Sequence, residues 1–238
     1  MSSDTRIGVR ILDAGESCLV VELGDRIDVA LNVQVRALGL AVERAGLPGV
    51  VEAVPTYRSL AIYYDPLRIG RDNLREKIDT LLHSPLEEAE QRSKVVEIPT
   101  VYGGEHGPDL GFVARHTGLS EEEVVRLHTE PLYHAYMLGF TAGFAYLGGL
   151  SERLSTPRLP TPRLRVQAGS VGIGGAQTGV YPLEGPGGWR IIGRTSLCLF
   201  DASRQPPTPI LPGDKVRFVE VDEEGYHKEA RAIEQLSP

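Results

Sequence analysis

Guanidinium, amide and ring groups crowd into one part of this chain. From Arg163 to Thr195 it carries Gln177, Tyr181, the single tryptophan Trp189, Arg190 and Arg194. Between Arg165 and Arg194 nine of thirty residues are glycine. Glycine at that density permits positive φ and close backbone approach, and short β-branched or aromatic runs between the glycines predict tightly turned β structure. A concave β surface carrying a few such groups is a common form of small-molecule site, although a small barrel whose turns need glycine has the same composition. Ser170, in AGSVG, approximates a nucleophile elbow, but an elbow joins a strand to a helix. Here more glycine and strand follow, which argues against covalent catalysis.

Other chemistry-bearing residues read less sharply. Phe140, Phe144 and Tyr146 stand with four glycines in MLGFTAGFAYLGGL, Met137 to Leu150, which suits either core packing or the walls of a ligand pocket. Arg153, Arg158, Arg163 and Arg165 flank prolines on a predicted loop, where clustered guanidiniums can bind phosphate or carboxylate bidentately or simply be solvated. Glu105 and Asp109 flank a glycine-rich turn and read as partners for turn amides and a helix N-terminus rather than as an acid–base pair. His106, His116, His128 and His134 have no metal-ligand spacing and read as surface or locally bonded residues. HTEP at His128 to Pro131 lacks the downstream C-x-x-C of a zinc deaminase. No P-loop or G-x-G-x-x-G is present.

The positioning elements follow from periodicity. Alternation over Ile7 to Ile11 and Leu19 to Leu23 around a turn at 13–16 predicts a hairpin. Asp28 caps a predicted helix running to about Ala45, stopped by Gly46 and Pro48. Strands at 50–54 and 60–64 and a helix bearing Leu74, Ile78 and Leu82 complete a ββαββα unit. The polar stretch Ser84 to Ser93 is the predicted linker. The predicted organisation is a small α+β domain over 1–85, a linker over 86–93, and a mainly β barrel domain over 94–238. In the second domain Pro108 suits the first position of a helix ended by Gly118, and Ser120 with Glu123 has capping-box spacing for the next. LPGDKVRFVEV reads as a turn and a closing strand.

A net charge of −7 and a pI near 5.4 argue against nucleic acid or an anionic membrane as the main partner. Cys18 and Cys198 are far apart, in the manner of reduced thiols. Neither a signal peptide nor an eighteen-residue apolar run is evident, so a soluble cytoplasmic protein is expected.

The chain resembles the KipI and allophanate hydrolase subunit 1 family, which includes the B-type subunit of bacterial 5-oxoprolinase. The matching stretches are YGGEHGPDL, MLGFTAGFAYLGGL, STPRLPTPR, AGSVGIGGAQTGVYP, PGGWRIIGRT, LFD and LPGDKVRFV. Ala142, Ala145, Gln167 and Ser196 stand where the family usually has proline, losses that bear on loop stiffness rather than side-chain chemistry. The resemblance implies a cyclophilin-like barrel. It also implies a role in ATP-dependent opening of 5-oxo-L-proline to glutamate, together with two further chains. One is a homologous subunit of the KipA (allophanate hydrolase subunit 2) type, and the other is of the LamB/YcsF type. On that footing Arg163 and Arg194 are expected to meet anionic groups, and Gln177 and Thr195 to orient substrate. Phe140, Tyr146, Tyr181 and Trp189 are the expected walls, and the amides of Gly169 to Gly175, with Gly169, Ser170 and Gly172 among the substrate-binding residues, a nest for an oxyanion or phosphate. ATP is expected in the complex, and self-association of the chain when alone. The alternatives are a KipI-type inhibitor of a sensor histidine kinase and a carboxyltransferase-like subunit.

Overall fold

The computed structural model describes residues 8–84 and 93–227. The chain divides into two compact units, Met1–Ser93 and Lys94–Pro238. Apart from Ser93, the linker expected over 86–93 lies outside the described residues.

In the first unit β1 (Arg10–Asp13), β2 (Cys18–Glu22), β3 (Val50–Pro55) and β4 (Ser59–Tyr64) form an antiparallel sheet in the order β1-β2-β4-β3. Alternation puts Leu19, Val21, Leu60 and Ile62 on one face. There they meet Val35, Leu38 and Val42 of α1 (Val29–Ala45) and Leu74, Ile78 and Leu82 of α2 (Arg71–His83). Asp28 caps α1 by accepting from the Leu31 amide at 3.0 Å, and Gly46 ends it in the left-handed region.

The second unit is a closed barrel of seven strands with a few helices. Its strands are β5 (Val95–Tyr102), β6 (Tyr133–Leu138), β7 (Ala145–Gly148), β9 (Ser170–Gly174), β10 (Gln177–Val180), β12 (Arg190–Arg194) and β13 (Lys215–Glu220). They close in the order β10-β7-β6-β13-β5-β12-β9, while β8 (Arg163–Val166) and β11 (Gly185–Gly187) form a separate ribbon. β5 and β13 run parallel over six registered pairs. Helices α3 (Leu110–Thr117) and α4 (Glu121–Thr129) bury Val113 and Val124 against Ile98, Ile173, Ile192 and Phe218. α4 opens with the complete Ser120–Glu123 capping box. α3 begins at Leu110, so Pro108 lies two residues outside the helix rather than at its first position. No helix among the described residues is long and apolar enough to cross a membrane.

Candidate functional site

One corner of the barrel unit gathers the aromatic residues. Trp189 immediately precedes β12, and Phe144 immediately precedes β7. The Phe144 ring meets Tyr146 at 5.2 Å, Phe140 at 5.5 Å, Trp189 at 5.6 Å and Tyr181 at 6.0 Å, all edge to face. Each such pair contributes about 0.5–1.5 kcal/mol beyond area burial. The indole lies flat against β9. A Cβ on Gly174 would come within 2.4 Å of its Cδ1 and Nε1, so only glycine admits the ring at that position. Phe144, Tyr181 and Trp189 are buried with Val166 and Ile191, whereas Phe140 is 69% exposed. Phe140 also has φ +65, the only positive φ outside glycine among the described residues.

The charged rim of this corner is built by the YGGEHGPDL loop, which is laced to β12. Gly103 N–H donates to the Ile192 carbonyl at 3.0 Å and Asp109 N–H to the Ile191 carbonyl at 2.8 Å. The Asp109 carboxylate in return accepts the Ile191 amide at 2.7 Å. It also takes a bidentate pair from Arg163, at 2.9 and 3.0 Å. Asp109 is buried at 7% exposure, so these bonds replace its water. The expectation that Asp109 serves a helix N-terminus is thereby corrected. It sits at the N-cap of α3 without a capping bond from its side chain, because a guanidinium and a strand amide compete better for it. Arg163 also reaches the Trp189 carbonyl at 3.4 Å.

Arg190 completes the rim. Its guanidinium carbon lies 3.6 Å from the Phe112 ring centroid, its Nη1 is 4.0 Å from Asp109 Oδ1, and its Nε donates to the Pro157 carbonyl at 3.3 Å. Arg158 stands over Trp189, 5.9 Å from the ring centroid. Burial raises the Tyr181 phenol above its ordinary pKa, against a hydrogen bond from the Trp189 backbone and the opposing pull of Arg158 and Arg163. Tyr181 therefore stays neutral at physiological pH.

The other expected residues divide between this corner and a second group. Gln177 opens β10 opposite Gly174, on the strand pair under Trp189, and Gly172 packs beneath the Trp189 Cβ. Tyr146 joins the rings. Arg194, Thr195, Gly169 and Ser170 lie at the other end of β12. Arg194 pairs with Ser170 where Arg190 pairs with Ile173, four residues or about 13 Å away along the strand. Arg194 donates to the Ala168 carbonyl at 3.1 Å and to Gln167 Oε1. Arg163 and Arg194 thus belong to separate groups, the first bonded to Asp109 and the second to Ala168 and Gln167. The expected amide nest is also not formed. Gly169 N–H donates to Tyr181, Ser170 N–H to Gln167 and Gly175 N–H to Thr156, while β9 pairs on both sides with β10 and β12. Gly169 is needed for another reason: φ is +81, and a Cβ would fall 2.1 Å from the Thr195 carbonyl oxygen.

A polar chain in the barrel core escapes a reading by residue type. Thr178 Oγ1 donates to the Gly172 carbonyl at 3.0 Å, so it must accept from His128 Nε2 at 2.7 Å. His128 Nδ1 then accepts from the Tyr102 hydroxyl at 2.8 Å. Burial lowers the His128 pKa from 6.5 to about 3, which keeps the ring neutral and this direction fixed. The available signal is helical spacing: His128 is four residues after Val124 on the buried face of α4. Among the described residues no group of His, Cys, Asp or Glu is arranged to hold a metal ion.

With this geometry in place the chain can be compared with known proteins. The family model of the carboxyltransferase domain, subdomain C and D, matches residues 9–210. The B-type subunit of 5-oxoprolinase from Escherichia coli O157:H7 is 48% identical over 206 residues, covering 86% of this chain and 93% of that protein. Its counterpart from Bacillus subtilis (strain 168) is 40% identical over 228 residues, covering 92% and 95%. The crystal structure of TTHA0988 superposes with a TM-score of 0.76 at 42% identity over 86% of this chain. This chain spans 40% of that longer protein's length.

Proposed function

We propose, from the premise that this chain belongs to the carboxyltransferase subdomain C and D family and within it to the B-type subunits of 5-oxoprolinase, that it serves an ATP-hydrolysing complex that opens 5-oxo-L-proline to L-glutamate. The observation that carries this reading is the 48% identity maintained over 93% of one such 5-oxoprolinase chain. Its partners are a homologous chain of the KipA type and a chain of the LamB/YcsF type, and the complex works in the cytoplasm. When alone, the chain self-associates through the surface its partner would cover. The barrel is of the cyclophilin-like kind.

A lactam is a poor electrophile. Moving the γ-phosphoryl group of ATP onto the lactam oxygen breaks its bond to ADP and activates the carbonyl carbon. Water then adds at that carbon, the ring C–N bond breaks, and glutamate and phosphate leave. In this chain the Phe140, Tyr146, Tyr181 and Trp189 corner would hold the lactam ring away from water, with Gln177 at its edge. Arg163, fixed by Asp109, would set the position of β8 and of the Trp189 carbonyl it touches. Arg194 and Thr195, at the far end of β12 with Gly169 and Ser170, would face a second anionic group, which suits phosphoryl.

The test is to mix this chain with both partner chains and measure ATP hydrolysis with and without 5-oxoproline. Hydrolysis that needs both the substrate and all three chains is expected, and its absence would end the reading. Phe140→Asn provides a second measurement. Relief of the positive φ and loss of the ring contact to Phe144 offset each other, so unfolding should stay within about 1 kcal/mol of wild type. Turnover in the complex is expected to fall about tenfold as ring positioning is lost. Unchanged turnover would show that the exposed ring has no part in the reaction.

A further inference from the structure

The rim carries more positive charge than its partners neutralise. Asp109 gives both oxygens to Arg163 and the Ile191 amide, and Arg190 reaches it only at 4.0 Å. Arg165 is matched by Glu184 at 2.8 Å. Tyr181, held neutral by burial, supplies no counter-charge. Among the described residues the Arg158 guanidinium has no carboxylate partner and that of Arg190 only the shared, distant Asp109, in a chain whose net charge is −7. A local reversal of sign against the overall field is the signature of a site for an anion.

Both groups are also held in place. The backbone around Arg158 is tied down on each side. Thr156 exchanges hydrogen bonds with Gly175 at 2.7 and 3.1 Å, Pro157 accepts from Arg190, and Leu159 N–H donates to Gly188 at 2.7 Å. Pro157, Pro160 and Pro162 fix φ along the same loop. Arg190 lies flat on Phe112 with its side chain 12% exposed. An arginine on a pinned loop and a second stacked on a ring lose little freedom when a ligand binds. Arg158 stands over the Trp189 ring, and the Arg190 bond to the Pro157 carbonyl holds the second guanidinium against the same loop.

We propose that Arg158 and Arg190, joined through the Pro157 loop beside Trp189, form an anion clamp, which takes the carboxylate of a small ring compound while the ring rests against the exposed side of the aromatic corner at Phe140. This assignment rests on the reading of the chain as part of a 5-oxoprolinase and names the group that grips the substrate. It gives Asp109 and Arg163 a positioning role, since they fix β12 and the Trp189 carbonyl without holding the ligand.

Trp189 is the only tryptophan in the chain, so its emission reports on this site without ambiguity. The full chain is titrated with 5-oxo-L-proline, with 2-pyrrolidinone, which has the ring but no carboxylate, and with inorganic phosphate. A saturable change with 5-oxoproline and none with 2-pyrrolidinone at equal concentration is expected. Arg158→Gln, an exposed substitution that spares the fold, should weaken the response at least about tenfold, as loss of a charge-assisted hydrogen bond does. In the three-chain complex it should raise KM for 5-oxoproline by a similar factor, more than it lowers kcat. Saturation by phosphate alone would overturn the assignment of the substrate carboxylate to the clamp. A wild-type response and KM in Arg158→Gln, or no response to either anion, would overturn it. A complex without substrate-dependent ATP hydrolysis would sink the functional reading instead, and the titration of the chain alone would still decide the clamp.

Discussion

Asp109→Ala is expected to destabilise the barrel unit by about 3–5 kcal/mol, because it leaves a partly buried guanidinium without its counter-charge. The carboxylate sits at 7% exposure and receives three hydrogen bonds, two from Arg163 and one from the Ile191 amide. Alanine removes all three acceptor contacts together. It also loosens the lacing between the YGGEHGPDL loop and β12, since the Ile191 amide loses its carboxylate acceptor and only the backbone bonds to the Ile191 and Ile192 carbonyls are kept. Asp109→Asn keeps an acceptor for the Ile191 amide and should cost about half as much. Arg163→Met should be milder than Asp109→Ala, because Asp109 would retain the Ile191 amide and a distant Arg190. Urea unfolding midpoints with unchanged m-values are the measurement, with Arg163→Met combined with Asp109→Ala to close the cycle. If Asp109→Ala cost less than 1 kcal/mol, the rim would not be held as described.

The contrast between Asp109 and its neighbours shows what can be read without coordinates. Caps and helix ends are legible because they are settled within one turn of chain. Asp28, Gly46, Gly118 and the Ser120–Glu123 box all act on residues three or four positions away. The glycine run is legible as tightly turned β structure, yet the reason for Gly174 is an indole fifteen positions later. Partner choice is not legible at all. Asp109 has a local option, the amides of α3, and takes Arg163 fifty-four residues away instead. Arg163 and Arg194 look alike in sequence, but β12 sets them in different groups. Phe144, the centre of the ring cluster, looks no different from Phe140 and Tyr146, because ring packing is decided by the β6–β7 turn and not by composition. The parallel pairing of β5 with β13 joins strands more than a hundred residues apart, which no local pattern specifies.

His128 gives the second large effect, and its sign follows from burial. The folded ring has a pKa of about 3, against 6.5 when solvated. Between those values the unfolded chain takes up a proton that the folded chain refuses. The stabilising contribution is therefore fully present above about pH 6.5 and is lost as pH falls, at up to about 1.4 kcal/mol per unit. From about pH 6.5 to about pH 4.5 the loss should reach about 2–3 kcal/mol, before most carboxylates protonate. Glutamine at this position can accept from Tyr102 and donate to Thr178, as neutral His128 does, but it cannot titrate. His128→Gln should cost stability near neutral pH through poorer packing against Phe218, whose ring lies 4.4 Å away. It should also flatten the dependence between about pH 6.5 and 4.5. Urea midpoints of both proteins across that range are the test. Parallel slopes would mean that His128 takes its proton in the folded barrel as freely as in water, and the directed chain from Tyr102 through Thr178 to the Gly172 carbonyl would then lose its basis.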